Sequence, residues 1–504
     1  MTDRSRRHFL KAAVWLPLAA PYMRSGLGIG PGAMPASSSP GTATARATLR
    51  LRPGPVGRHV DGALASLSYE TLQLTDPGFF SADNRPLVEL FRQLNPQGVL
   101  RIGGNTSDST IWSGYRGHLP EPRPRHYGPK ITPSYVLHPA SLHSLAGFLD
   151  ATGWKLVFGV NLRIGVPAMA VELGRAVHDA VGSRLLAIQI GNEANNYEPG
   201  DAAFDAAWVP YARALRRAGL PLGGPDTGAN TDWVIDYAKR HARDNVLLSR
   251  HYYRDAASKG SIPDMLSGAP DFYAQVERIM READAVHLPF YLTEANSYYL
   301  GGRDGVSNVF AAALWGADFM LALAQRGVSG ICFHGGTLHS VESSLNRATP
   351  KPDTRADDLA QRRIAVTSRY APIAGDLATG FQPQPLFYGM QLAQRFAGAR
   401  FAGLDLDAGG ANLTAYAAER GDELLVALVN KDMQRSAEVT MHGLTGYRLL
   451  ELQRMTAPAL TSRSGIRLGA RPLAEIRRGS TPGSLALAVP RGSAAWLQLK
   501  RLET

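Results

Sequence analysis

The chain contains one cysteine, Cys332, in 504 residues. An intrachain disulfide is therefore excluded, and the fold has to be held by its core alone. No run of five or six consecutive lysines or arginines occurs, and no other nucleic-acid signature accompanies the basic residues. The apolar run near the start, Ala12 to Ala20, would rise only about 14 Å as a helix, too short to cross a bilayer. The histidines are scattered, without the His/Asp/Glu spacing of a metal site. No glycine-rich phosphate loop follows a first strand, which weakens a doubly wound nucleotide fold. Neither a metal nor an organic cofactor is expected.

What is present is the composition of an ordinary globular protein, 44% hydrophobic and 19% charged, in a chain long enough for one large domain and a smaller one. Ser5-Arg6-Arg7-His8-Phe9-Leu10-Lys11 forms a twin-arginine export pattern ahead of the short apolar run. Residues 1–45 read as a cleavable signal and linker. A periplasmic or secreted protein with no membrane contact in its mature form is expected. The formal charge is +11, and residues 1–45 hold five cations against one acid, so the remainder carries +7. That excess suits acidic partners such as uronate polysaccharides.

From Val60 short apolar runs alternate with helical periodicity. The runs are Gly62 to Tyr69, Gly98 to Ile102, Trp154 to Asn161, Leu186 to Ile190, Pro221 to Pro225, Val246 to Tyr252, Pro289 to Thr293 and Ser329 to Phe333. Amphipathic segments lie between them, at 139–150, 166–181, 202–218, 232–242, 271–285 and 309–326. Eight such repeats predict an α/β fold, a (β/α)8 barrel over residues 57–384 with an insertion at about 336–375 after the last strand. Beyond residue 385 a single helix is followed by short alternating segments separated by Gly, Pro and Asn. Residues 385–504 read as an antiparallel β-sandwich, joined by an N-terminal strand within 46–56.

Two buried runs end in glutamate: LLAIQI leads to Gly191-Asn192-Glu193, and LPFYLT to Glu294. A carboxylate at the mouth of a buried strand costs free energy unless it is paired or used. On a barrel these two follow the fourth and seventh strands, and both reach the mouth where strand ends converge. Glu70, Arg101, Asn105, Asn161, Arg163, His251 and Tyr252 stand at the ends of neighbouring strands. Arg163 has two readings, as a partner for a substrate carboxylate or as an orienter of the site acids.

The sequence resembles the clan of retaining β-glycosidases, and within it glycoside hydrolase family 79, the bacterial β-glucuronidases and heparanases. The resemblance rests on Leu67-Ser68-Tyr69-Glu70, Leu100-Arg101-Ile102-Gly103-Gly104-Asn105, Gln189-Ile190-Gly191-Asn192-Glu193-Ala194-Asn195, His251-Tyr252-Tyr253, Thr293-Glu294-Ala295-Asn296-Ser297, Gly301-Gly302 and Phe333-His334-Gly335-Gly336. It implies Glu193 as acid/base and Glu294 as an ionised nucleophile, held by a hydrogen bond such as one from Tyr252. The two carboxyls would lie about 5 to 5.5 Å apart. It implies Asn192 on the sugar 2-hydroxyl, Glu70 and Asn105 on the outer hydroxyls, and Tyr299 with the backbone around Gly301 on a glucuronate carboxylate. Where relatives place a tyrosine soon after His-Gly-Gly, this chain has Thr337-Leu338, and Tyr370 is the candidate replacement. The implied substrate is an oligo- or polysaccharide containing glucuronic acid. A β-xylosidase or α-L-arabinofuranosidase of the same clan is the alternative, and a non-catalytic glycan-binding protein is a third reading.

Overall fold

Each of the eight apolar runs is a strand, and the eight close into one parallel barrel in chain order. They are Ala65–Glu70, Val99–Gly103, Lys155–Val160, Leu185–Ile190, Leu222–Thr227, Asn245–Ala256, Phe290–Tyr299 and Gly330–Gly335. Their near-continuous burial is what a sheet covered on both faces demands. The computed structural model describes residues 43–126, 134–351 and 358–502. The signal and linker expected over 1–45 lie outside them up to residue 42.

The helices obey local signals. Proline opens Pro139–Thr152, Pro167–Val181 and Pro270–Ala285 at the first turn, where its missing N–H costs nothing. Gly153 and Gly327 end two helices in the left-handed region. A further crossover helix, Arg85–Leu94, was not among the expected segments; its apolar face buries Leu87, Leu90, Phe91 and Leu94. Helix Phe310–Arg326 departs from its amphipathic pattern, being buried on every side from Phe310 to Ala324. The cause is its further neighbours, helix Pro385–Gln394 and the β-sheet domain, which cover its outer face.

That domain is one ten-stranded sheet, antiparallel except for one pairing. The N-terminal strand, Thr44–His59, lies inside it, antiparallel to Arg400–Asp407 and parallel to Ser436–His442. The sheet curls over its own core of Leu49, Val426, Val439, Leu452, Leu487 and Leu497. Across the fold, Arg454 Nη2 donates to Ala488 O at 2.8 Å.

Helix Pro385–Gln394 belongs with the barrel rather than with the sheet region to which 385–504 assigned it. It crosses Phe310–Arg326 so closely that a Cβ on Gly389 would meet Ala313 O. Barrel and sheet are joined at Asp318, whose carboxylate pairs with Lys431 Nζ at 2.6 Å and accepts from Tyr416 and Thr414. Residues Thr42–Thr504 form one compact unit. The 336–375 insertion holds helices Leu338–Ser344 and Leu359–Ala365 and leads into the hairpin Ile373–Asp376 with Gly380–Pro383. Among the described residues no helix is long and apolar enough to cross a membrane.

Candidate active site

The fourth strand delivers Glu193 in the left-handed region, φ 46° and ψ 50°. A glutamate held there is strained by about 1–3 kcal/mol, tolerated where neighbours over-determine the turn. Its N–H donates to Asp226 O at 2.9 Å. Asn196 Nδ2 donates to its Oε2 at 2.8 Å, and His251 Nδ1 lies 3.0 Å from its Oε1. The side chain is 22% exposed, so it is supported yet open to the mouth.

Glu294 is more enclosed. Arg101 Nη1 donates to its Oε2 at 2.7 Å and Tyr253 Oη to its Oε1 at 2.8 Å. Burial alone would raise its pKa, but His334, His251, Arg101 and the Tyr253 hydrogen bond outweigh it and hold the carboxylate below its usual range. One oxygen each from Glu193 and Glu294, with a ring nitrogen of His251, lie within 4.8 Å of one another.

Beneath the pair sits Asp226, at the end of the fifth strand and 1% exposed. It accepts from Arg101 Nη2 at 2.6 Å, Gln189 Nε2 at 2.7 Å and Thr293 Oγ1 at 2.6 Å. His251 Nε2 stands 2.9 Å from it. Burial would raise the Asp226 pKa, and the Arg101 and His251 charges pull it far below normal. For His251 burial works downward, and Asp226 and Glu294 push the value up to about 10.

Asn192 lies beside Glu193 with Oδ1 held by Arg101 Nη2 at 2.7 Å and its N–H held by Asp108 at 3.0 Å. The orientation of its amide is thereby fixed. Glu70 accepts from Thr106 N and Oγ1 at 2.9 and 2.7 Å. Gly104, at φ +72°, makes this possible, because a Cβ there would fall 2.3 Å from Glu70 Oε2. His334 bridges Glu70 and Glu294, 3.6 and 3.9 Å away. Asn105 Oδ1 accepts from Arg125 Nη1 at 2.7 Å.

Tyr252 does not hold Glu294. Its ring is packed between barrel and helices, 4.1 Å from Phe272 and 4.8 Å from Phe319. Strand alternation explains the difference: His251 points inward, so Tyr252 points out and Tyr253 in.

Tyr370 returns from the far end of the insertion and is buried, its ring 5.9 Å from His334 and 6.1 Å from Tyr253. Asn296 Nδ2 fastens that segment, donating to Tyr370 O at 3.0 Å and His334 O at 2.9 Å. Gly302 lets the opposite loop close, since a Cβ would meet Tyr370 N at 2.8 Å. Gly301 O accepts from Arg369 N at 2.8 Å. Tyr299 stands at the rim, 42% exposed, its ring edge-on to Tyr253 at 6.4 Å. Arg163 Nε donates to Arg123 O at 2.8 Å, and Asn161 Nδ2 to Thr110 O at 2.9 Å; both fasten the loops around the mouth.

The structure therefore brings together Glu193, Glu294, Asn192, Glu70, Asn105 and Tyr370, sets Tyr299 and Gly301 beside them, and leaves Tyr252 outside. Sequence reasoning missed Asp226, Tyr253, His334 and Asn296 as site residues. For Tyr253 the signal was available, two positions past an inward His251. Glu193, His251 and Glu294 offer donor atoms close enough for a cation. Both nitrogens of His251 already face carboxylates, Glu193 and Asp226, and Arg101 lies on Glu294.

No protein-family model matches the chain. It is similar to a β-glucuronidase of Neurospora crassa, 24% identical over 359 residues, which span 61% of this chain and 64% of that one. A β-glucuronidase of Aspergillus niger is 22% identical over 323 residues, 55% of this chain and 58% of the relative. The matches thus span about three fifths of the curated relatives' length. Among solved structures, the 4-O-α-L-rhamnosyl-β-D-glucuronidase of Fusarium oxysporum superposes with a TM-score of 0.64 at 17% identity, over 89% of this chain and 99% of that one. The family 51 arabinofuranosidase of Xanthomonas axonopodis pv. citri also gives 0.64, at 15% identity, over 90% and 100%. The barrel with its curled sheet is the fold of these glycosidases.

Proposed function

We propose that the chain is a retaining glycoside hydrolase that cleaves β-linked glucuronic acid. The observation that carries this reading is the Glu193–Glu294 pair, with oxygens within 4.8 Å. That proximity fits the roughly 5–5.5 Å between the carboxyls of a retaining site better than the roughly 6.5–9.5 Å of an inverting one. Glu294, kept anionic by Arg101 and Tyr253, attacks the anomeric carbon while Glu193 gives its proton to the leaving oxygen. The C–O bond to the aglycone breaks and a glycosyl ester forms on Glu294. Glu193, now a carboxylate, takes a proton from water, whose oxygen displaces Glu294 and restores both groups. Asn192, fixed by Arg101 and Asp108, donates to the 2-hydroxyl. Tyr370, Tyr299 and the Gly301 backbone recognise the glucuronate carboxylate, and Glu70 and Asn105 the outer hydroxyls.

The relatives named as β-glucuronidases support the choice of sugar. The arabinofuranosidase among the solved structures favours the second reading, a neutral pentoside. Nitrophenyl β-glucuronide, β-xyloside and α-L-arabinofuranoside assayed side by side separate the two, and Glu294→Gln is expected to abolish turnover. Turnover that survives Glu294→Gln sinks the mechanism, and preference for a pentoside sinks the glucuronidase reading. Heparanase-like cleavage within a heparan-type chain is distinguished from terminal release by product analysis. Export by the twin-arginine route belongs to the same reading, supported by Ser5 to Lys11; Arg6→Lys with Arg7→Lys should retain the protein inside the cell.

A further inference from the structure

Five side chains of alternating charge connect the two catalytic glutamates: Glu193, His251, Asp226, Arg101 and Glu294. The links are 3.0, 2.9, 2.6 and 2.7 Å. Each carboxylate end meets the mouth, whereas the three middle members are buried. We propose that Asp226 is a positioning residue for catalysis: it keeps His251 doubly protonated, so that the one mobile proton of the site stays on Glu193. The inference rests on the acid/base and nucleophile roles proposed above.

The geometry argues for it in two ways. Both ring nitrogens of His251 face carboxylate oxygens, and a ring that donates to both carries two protons. An imidazole already full cannot accept the proton of Glu193, although an isolated imidazole is the more basic group. The second argument is charge balance. With Glu193 protonated, Arg101 and His251 neutralise Asp226 and Glu294. Once Glu294 is esterified its charge is gone and Glu193 has become the carboxylate, so the chain is neutral again. A site of constant charge needs little dielectric rearrangement between the half-reactions, which matters most where water is excluded.

Every element around Asp226 takes part. The second strand supplies Arg101, the fourth Gln189, the sixth Ser249 and His251, and the seventh Thr293. Glu70 and His334, from the first and eighth strands, adjoin the Glu294 end. Buried Cys332 of the eighth strand senses both Arg101 and Asp226. Asp226 touches no position open to a substrate, so its effect passes through His251 and Arg101.

The test uses the full-length protein and Asp226→Asn, with nitrogen-15 NMR of the His251 ring and kinetics on two aryl glycosides of the sugar the wild type accepts. In the wild type the ring should stay charged beyond about pH 8, and in Asp226→Asn it should titrate near the free value of about 6.5. Its neutral Nδ1 would then take the Glu193 proton. The variant should lose about 100-fold or more in kcat/KM on a phenyl glycoside, whose leaving group needs an acid, and under about tenfold on a dinitrophenyl glycoside, which does not. Equal losses on both substrates, or a ring still charged in the variant, overturn the proposal. If Asp226→Asn does not fold, a wild-type ring that turns neutral below about pH 8 overturns it and one that stays charged supports it. If the wild type hydrolyses no aryl glycoside, the enzymatic reading fails and the histidine titration still decides the role of Asp226.

Discussion

Tyr253 and Tyr252 are adjacent, of one type, and opposite in role. Tyr253 donates to Glu294 at 2.8 Å, a charge-assisted bond worth about 1.5–3 kcal/mol. Tyr253→Phe is expected to lower kcat about tenfold or more and to move the acid limb of the kcat/KM profile to higher pH, because Glu294 loses a group that favours its ionised form. Tyr252→Phe, which leaves the outer packing intact, should do neither; a pH–rate series on both variants decides. The glutamates were legible because each ends an apolar run. Asp226 was not, since the run before it, Pro221 to Pro225, is short and glycine-rich, and only closure of the barrel shows four hydrogen-bond donors converging on it.

Asn296 is one of the side chains that fasten the segment carrying Tyr370, bonded to two carbonyls. Asn296→Ala removes a donor from both, at a cost of about 1–3 kcal/mol for a carbonyl left buried without a partner. The expected result is a raised KM for a glucuronide with a smaller change for a neutral glycoside, seen by assaying both. Tyr370→Phe, which keeps the fastening, should weaken glucuronide binding without loss of fold; unchanged kinetics would remove Tyr370 from the recognition site. The eight strands and most crossover helices were readable from period alone. Helix Arg85–Leu94 carries that period too, at Leu87, Leu90, Phe91 and Leu94, and was overlooked; the true surroundings of Phe310–Arg326 were not readable, because burial by a distant part of the chain leaves no local periodicity.

Asp318 and Lys431 form a buried pair between barrel and sheet, 8% and 4% exposed at their side chains. Breaking it with Asp318→Ala should cost about 3–5 kcal/mol, whereas replacing both partners by apolar residues should restore much of that. Calorimetry on the single and double variants checks the cycle. Titration of the site also reaches the whole fold. Asp226 and Glu294 have lower pKa values folded than unfolded, so their contribution is complete above about pH 4.5 and lost as acid protonates the folded site. His251, at about 10 folded against about 6.5 unfolded, contributes fully below about pH 6.5 and less as pH climbs. Melting temperature should peak at about pH 5–6 and decline on both sides, and Asp226→Asn should flatten the alkaline decline.

The strand Thr44–His59 lies in the interior of the sheet, with one neighbour antiparallel and the other parallel. An edge strand can be added late or lost with little harm, but an interior one divides the sheet in two when it leaves. The beginning of the described chain is thus the seam that joins strands made near its end, with the whole barrel threaded between. Native pairing there cannot be completed until synthesis has passed His442, and proteolytic removal of those first residues would expose two raw strand edges at once. Barrel and sheet consequently share one fate on heating, a single cooperative melt rather than two.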